Sequence, residues 1–436
     1  MAPIGPDFQV NTYTAGGQSA PAVTALPEGG FLIVWESEGA RDGDGLSIHG
    51  RRFDSAGQPV GDEFQVSTSS INNQEIAAVT ATPDGSVLVA FRSNSSEILG
   101  QLYEADGAEF GAEAEFQSTI DSEPYSFPSI AFLNDGTFLL SYTQTRDANL
   151  YTARFDTDGS ALGDRMLIKD RPDSLELGPS DLLSRDDDSY VVGWAGTTTS
   201  GVDADGFGVF LQALTEDGGN DGDEIAVNSY TAGAQHSPRL VERHGEIVVV
   251  WQDDAQDANG TGVYFRRFDG DLAPLGDEAR LLDAFDGDYG APDIASREDG
   301  TTLAVFEGPN GILASSLDSA GLVHSPSGFA VAEFGSPGQS EPRVAALVEG
   351  FVVCGLKTAT AMAPAKASTL ACSPPTVTET ASPTPRTAAR WMRIRARKIW
   401  AGTASETPAT PARPSSTRAK KIRTSTAWAT SATTAR

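Results

Sequence analysis

"FLIVW", residues 31–35, is a run of apolar residues closing on an aromatic, and it recurs along the chain. Equivalent runs end at Phe91 ("VLVAF"), Tyr142 ("FLLSY"), Trp194 ("YVVGW"), Trp251 ("IVVVW") and Phe306 ("TLAVF"). Successive aromatics lie 56, 51, 52, 57 and 55 residues apart. A further run, "FVVCG", puts Gly355 where the next aromatic is due, 49 residues after Phe306. Self-similarity at such a period marks a repeat architecture.

Other features recur in phase. Turn signals such as "PDG" (83–85), "NDG" (134–136) and "EDG" (298–300) precede the apolar runs. A later segment reads "IHGRRFDSAG" (48–57), "ILGQLYEADG" (98–107), "LYTARFDTDG" (150–159) and "VYFRRFDGDL" (263–272). "GDEFQVST" (61–68) and "GDEIAVNS" (222–229) read as openings of the units that follow, and "FQVNTYTAGGQSAP" (8–21) returns as "IAVNSYTAGAQHSP" (225–238). Each unit offers about four short strands punctuated by Gly, Asp, Asn and Pro, and no window keeps a helical period.

The fold class expected is therefore all-β: a seven-bladed β-propeller over residues 1–353 with an incomplete last blade. The units fall at about 6–61, 62–111, 112–163, 164–222, 223–276, 277–324 and 325–353. A β-solenoid or a string of small sandwiches is the structural alternative. Trp35, Phe91, Tyr142, Trp194, Trp251 and Phe306 are expected to form a ladder packed between blades, with ligand stacking as the other reading of those rings.

Charge divides the chain. Residues 355–436 hold 14 Lys and Arg against 2 Asp and Glu, a net of +12, which leaves 17 basic and 58 acidic residues before them, a net of −41. A surface that acidic argues against nucleic acid and anionic membranes as partners. It suits cation binding or an extracellular setting, and equally an acidic coat for solubility. No run of 18 apolar residues exists for membrane insertion, and "MAPIGPDFQV" shows no signal peptide. The two cysteines, Cys354 and Cys372, lie at or beyond the change in composition, so disulfides are not expected to hold the repeats.

That change begins at Cys354. The Met362–Ala363 codons force Gly in the shifted frame, Trp391–Met392 force Asp, and Trp400–Ala401 and Trp428–Ala429 force Gly. All four suit the Asp/Gly-rich text of the earlier units. Residues 354–436 are thus read as a disordered, basic Ala/Thr/Pro-rich tail created by a frameshift. The rival is a genuine O-glycosylated stalk. Its "WMRIRARKIW" (391–400) and "RAKKIR" (418–423) are read as out-of-frame codons, not nucleic-acid or membrane patches.

The best constellation for chemistry is the loop after the aromatic strand. Asp42 and Asp44 in "RDGDGLS", Asp203 and Asp205 in "GVDADGFG", and Asp253, Asp257 and Asn259 in "DDAQDANGTG" place oxygen donors beside glycine. Such spacing can wrap Ca²⁺, and it equally suits an acidic hairpin loop. The four histidines, His49, His236, His244 and His324, occupy different phases of the repeat, and Ser19 and Ser237 show no His/Asp partner pattern. Phosphate-binding and nucleophile-elbow motifs are absent. Glycosidase chemistry needs two opposed carboxylates, and 58 acidic residues conceal any such pair.

The segments "EFQVNT", "GGQSAPAV", "GGFLIVWES" and "IHGRRFDSAGQPVG" resemble repeats of large secreted bacterial proteins that carry hemolysin-type calcium-binding, cadherin-like or thrombospondin type 3 segments. The resemblance covers residues 6 to about 353 and implies an extracellular or cell-surface location with an extracellular protein or glycan as partner. The expectation is a noncatalytic, calcium-stabilised adhesion or display module. The alternatives are a propeller enzyme acting on extracellular glycans, whose repeat should break where charges converge at one rim, and a nonfunctional truncated product.

Overall fold

The computed structural model describes residues 2–3, 7–358 and 392–400, apart from 39–44, 69–72, 94–96, 119–124, 134, 145–148, 157, 171–176, 186–188, 198–206, 257–259, 283–286, 319–320, 322, 324–327 and 332–338. Among the described residues every element is a strand. Six four-stranded antiparallel sheets follow one another along the chain. Blade one spans Gln18–Gln65, blade two Gln74–Ser118, blade three Tyr125–Lys169, blade four Leu177–Ala226, blade five Gln235–Arg280 and blade six Gly290–Ala330.

In each blade the first strand in sequence is the innermost, touching the first strands of the blades on either side. The second strand carries the apolar run and needs hydrophobic residues on both faces, because both are covered. In blade five Ile247, Val249 and Trp251 pack toward blade four, while Val248 and Val250 pack toward blade six. The six aromatics of the ladder are all buried, each in an interface with a neighbouring sheet. Cores therefore lie between blades rather than inside them, and no blade buries its faces alone.

The other in-phase motifs have equally local causes. In the "RFD" turns Asp54 accepts from the amides of Ala56 and Gln58, and Asp269 from those of Asp271 and Ala273. A share of the acidic excess is thus turn chemistry. Arg51 and Arg266 donate to the carbonyls of Val10 and Val227. Glu63, from "GDEFQVST", accepts the amides of Thr12 and Tyr13, and Glu278, from the "GDE" at 276–278, accepts those of Ser229 and Tyr230.

Three expectations need correction. Seven blades were expected and six are found, each built of consecutive strands. The segments "GDEFQVST" and "GDEIAVNS" close the preceding blade rather than open the next: Phe64 and Gln65 pair with Gly50 and His49, and Ile225 and Ala226 with Leu211 and Phe210. The remaining sheet is a composite of Gln339–Leu347, Gly350–Thr358, Met392–Trp400, Phe8–Gln9 and Ala2–Pro3, lying between blades six and one. Residues 392–399 pair with Phe351–Thr358, so the expectation of a wholly disordered tail fails for that segment. Residues 359–391 and 401–436 of the tail lie outside the described residues.

Because the ladder rings sit at sheet-to-sheet interfaces, removing one should loosen two blades together. Trp251→Ala is expected to cost about 3–5 kcal/mol, read as a lower denaturant midpoint with an unchanged far-UV spectrum. An unchanged midpoint would contradict the packing described.

Candidate functional site: a charged arc in the axial cavity

Every innermost strand slips register near its start: between Ser19 and Ala22, Glu75 and Ala78, Ser126 and Ser129, Leu177 and Ser180, His236 and Arg239, Gly290 and Asp293, and Ser340 and Arg343. These bulges re-aim the backbone toward the axis. Five bulge residues, Ala20, Ile76, Ser237, Ala291 and Glu341, hold φ between 45° and 56°, where a side chain is strained. They line a cavity of about 520 Å³ at this end of the axial channel.

What holds the strained amides is a side chain from a neighbouring sheet. The residue after the ladder aromatic supplies it in three cases. Glu36 accepts from the Ile76 amide at 2.7 Å, Gln252 from Ala291 at 3.2 Å, and Glu307 from Glu341 at 2.5 Å. Glu341 in turn accepts from the Ala20 amide at 2.7 Å.

One step further along the strand, the residue paired opposite the position before the ladder aromatic comes from every sheet. These residues are Ala22, Ala78, Ser129, Asp181, Arg239, Asp293 and Arg343, all lining the cavity. Three sheets offer small side chains and four consecutive sheets offer Asp, Arg, Asp, Arg. Arg239 Nη1 lies 3.2 Å from Asp181, and its Nε lies 3.8 Å from Asp293. Asp181 also accepts the Leu240 amide and Asp293 the Val344 amide, each at 2.7 Å.

Burial dominates the electrostatics. It pushes the Asp293 carboxyl up, against Arg239 and Arg343. It raises Glu36 despite the Ile76 amide and the Ser19 hydroxyl, and raises Glu341 despite the Ala20 amide and Arg343, with Glu307 adding to the rise. Burial also lowers Arg343, helped by the nearby Arg239. Burial opposes the Arg239 charge too, yet Asp181 and Asp293 outweigh it and raise that guanidinium.

Of the residues expected to bind Ca²⁺, Asp253 alone falls within the described residues. Asp42, Asp44, Asp203, Asp205, Asp257 and Asn259 lie outside the described residues. Asp253 is buried, and its Oδ1 accepts the amides of Ala255 and Gln256, a loop-capping role. Among the described residues no group of three or more His, Cys, Asp and Glu is placed to hold a metal ion.

The cavity residues escaped the sequence reading because it aligned the units on the aromatic. Aligning on the proline of the innermost strand exposes them, in "SAPA", "GPSD", "SPRL", "APDI" and "EPRV".

No protein family and no curated protein matches this chain. Solved structures with a similar fold include a protein of unknown function from Dyadobacter fermentans, 10% identical, with a TM-score of 0.50 over 90% of this chain and 98% of that one. An α-L-arabinanase from Penicillium chrysogenum complexed with arabinobiose is 14% identical, with a TM-score of 0.49 over 72% of this chain and 99% of that one. A puromycin hydrolase mutant is 15% identical, with a TM-score of 0.51 over 78% of this chain and 51% of that one. Likeness at this identity establishes the propeller-like fold, and the hemolysin-type, cadherin-like and thrombospondin type 3 resemblance gains no family match.

The noncatalytic display module is corrected by these findings. It required equivalent units, whereas the ring of equivalent positions turns from small residues to an Asp–Arg–Asp–Arg arc at one end of the channel. Among the described residues no helix is long and apolar enough to cross a membrane.

The raised carboxylates give the fold a signed pH dependence. A carboxyl whose pKa is higher folded than unfolded adds stability as pH falls from above the folded value toward its ordinary 4.5 or 3.8. Glu36, Asp293 and Glu341 act in that sense. Asp84, Asp135 and Asp299, with lowered values, lose their contribution only below about 3.8. The thermal midpoint should therefore rise as pH falls from neutral toward about 5 and drop in stronger acid. Glu36→Gln should flatten the rise; a rise of equal size in that variant would contradict the assignment.

Proposed function

We propose that the axial cavity binds and hydrolyses a glycosidic linkage of an extracellular glycan. The observation that carries this reading is the convergence of part-buried carboxylates on one cavity through a repeat that otherwise offers Ala and Ser there. Hydrolysis of an acetal needs one carboxyl that delivers a proton and a second that is ionised. Glu341 suits the first role: burial and the neighbouring Glu307 raise it, and it sits on a strained bulge aimed into the cavity. Asp181 is the second carboxyl of the pair, with Arg239 Nη1 3.2 Å away. Arg343 stands beside Glu341 and Asp293, with one hydrogen bond to the Pro342 carbonyl. It leaves guanidinium donors for sugar hydroxyls.

The acid–base division explains why cations are interleaved. A ring of carboxylates alone would repel itself, and every member would protonate. The net charge of −41 over the first 354 residues also supports work outside the cell on neutral rather than polyanionic substrate.

The test is release of reducing sugar from a panel of polysaccharides, arabinan included. Glu341→Gln and Asp181→Asn keep the acceptors for the Ala20 and Leu240 amides, so both variants should fold. Each is expected to lower hydrolysis by about 10²- to 10⁴-fold. Full activity in both folded variants would overturn the proposal.

A further inference from the structure

Blade five departs from the other sheets at the same cavity in a second way, and it does so with nucleophilic chemistry. Its bulge residue is Ser237, held at φ 56°. The residue in blade four that corresponds to Glu36, Gln252 and Glu307 is Ala195, directly after the ladder residue Trp194. Among the described residues no side chain therefore caps the Ser237 amide, which occupies the position from which Ile76, Ala291 and Glu341 donate to an oxygen of the neighbouring blade.

The Ser237 hydroxyl has a partner chain of its own. His236 Nδ1 lies 3.2 Å from Ser237 Oγ, and His236 Nε2 lies 3.1 Å from Asp254 Oδ1. In a regular strand consecutive side chains point to opposite faces. The bulge between His236 and Arg239 removes that restriction and lets neighbours in sequence meet. Asp254 is itself steadied by the Gln252 amide at 3.2 Å. The expectation that Ser237 lacks a His/Asp partner is thereby corrected: the strand period concealed the pair.

We propose that Ser237 is the nucleophile of an ester-cleaving site in the axial cavity, acting on small O-acyl groups carried by glycan hydroxyls. The reaction is acyl transfer and goes beyond the glycosidic cleavage proposed above. Asp254 selects the tautomer with hydrogen on Nε2, leaving the Nδ1 lone pair to take the Ser237 proton. As Oγ bonds to the ester carbonyl carbon, its proton passes to His236 Nδ1. The developing oxyanion meets the Ser237 amide, where other blades place a carboxylate or amide oxygen. Collapse breaks the bond to the sugar oxygen, which leaves as the alcohol with the proton from Nδ1. Water then attacks the acyl-serine, gives one proton to Nδ1 and releases the carboxylic acid, and Nδ1 returns that proton to Oγ. A small acyl group suits a cavity of about 520 Å³ that must also admit the sugar.

The experiment treats the full chain with a fluorophosphonate probe and, separately, with p-nitrophenyl acetate. The expected result is a covalent adduct on the peptide containing Ser237, together with ester turnover. Ser237→Gly, which suits the positive φ, should remove the adduct and lower turnover at least about 100-fold. Ala195→Glu should restore the missing cap on the Ser237 amide and suppress labelling in a folded protein. No adduct on the folded chain, an adduct at another residue, or undiminished turnover in Ser237→Gly would each overturn the proposal. Labelling does not depend on glycosidic cleavage, so the two readings fail separately.

Discussion

A bulge near the start of each innermost strand is the constraint on which the rest of this molecule depends. It turns backbone toward the axis, and in five sheets it places a residue other than glycine at positive φ. An unpaired amide in a half-buried setting costs free energy, and four of the five are paired, the Ser237 amide being the exception among the described residues. The repeat answers with an oxygen from the adjoining sheet, supplied by Glu36, Gln252, Glu307 and Glu341. Those carboxylates are structural necessities before they are anything else, and they stand around a cavity. Chemistry at this site needs only changes in which blades carry the cap and which carry charge.

The sheet-to-sheet cores and the charged cavity divide the work. Interfaces filled by rings such as Trp194 and Trp251 keep the blades in register, and the burial they impose raises Glu36, Asp293 and Glu341. The interleaved Arg239 and Arg343 work against that burial at Asp293.

Much of the fold was legible in the sequence because its causes are local. The apolar runs, the Asp and Gly turns and the paired arginines of "GRRF" and "FRRF" each act within a blade or its neighbour. The number of blades was not legible, because closure is not local. Met392–Trp400, drawn from a stretch read as out-of-frame, pairs with Gly350–Thr358 in the composite sheet. The site was less visible still. Asp181 and Arg239 align only once the bulges are known, since Asp181 follows its proline by two residues and Arg239 by one. His236 and Ser237 are consecutive residues, which the strand period assigns to opposite faces.

The central claim is that burial at this rim raises the Glu341 carboxyl above its ordinary value. Carbon-13 NMR of protein labelled at the glutamate carboxyl, with Glu341 assigned through Glu341→Gln, measures that property directly. The account predicts that Glu341 titrates above the ordinary 4.5 in the folded chain. Titration at or below 4.5 would contradict it, and with it the role given to the axial cavity.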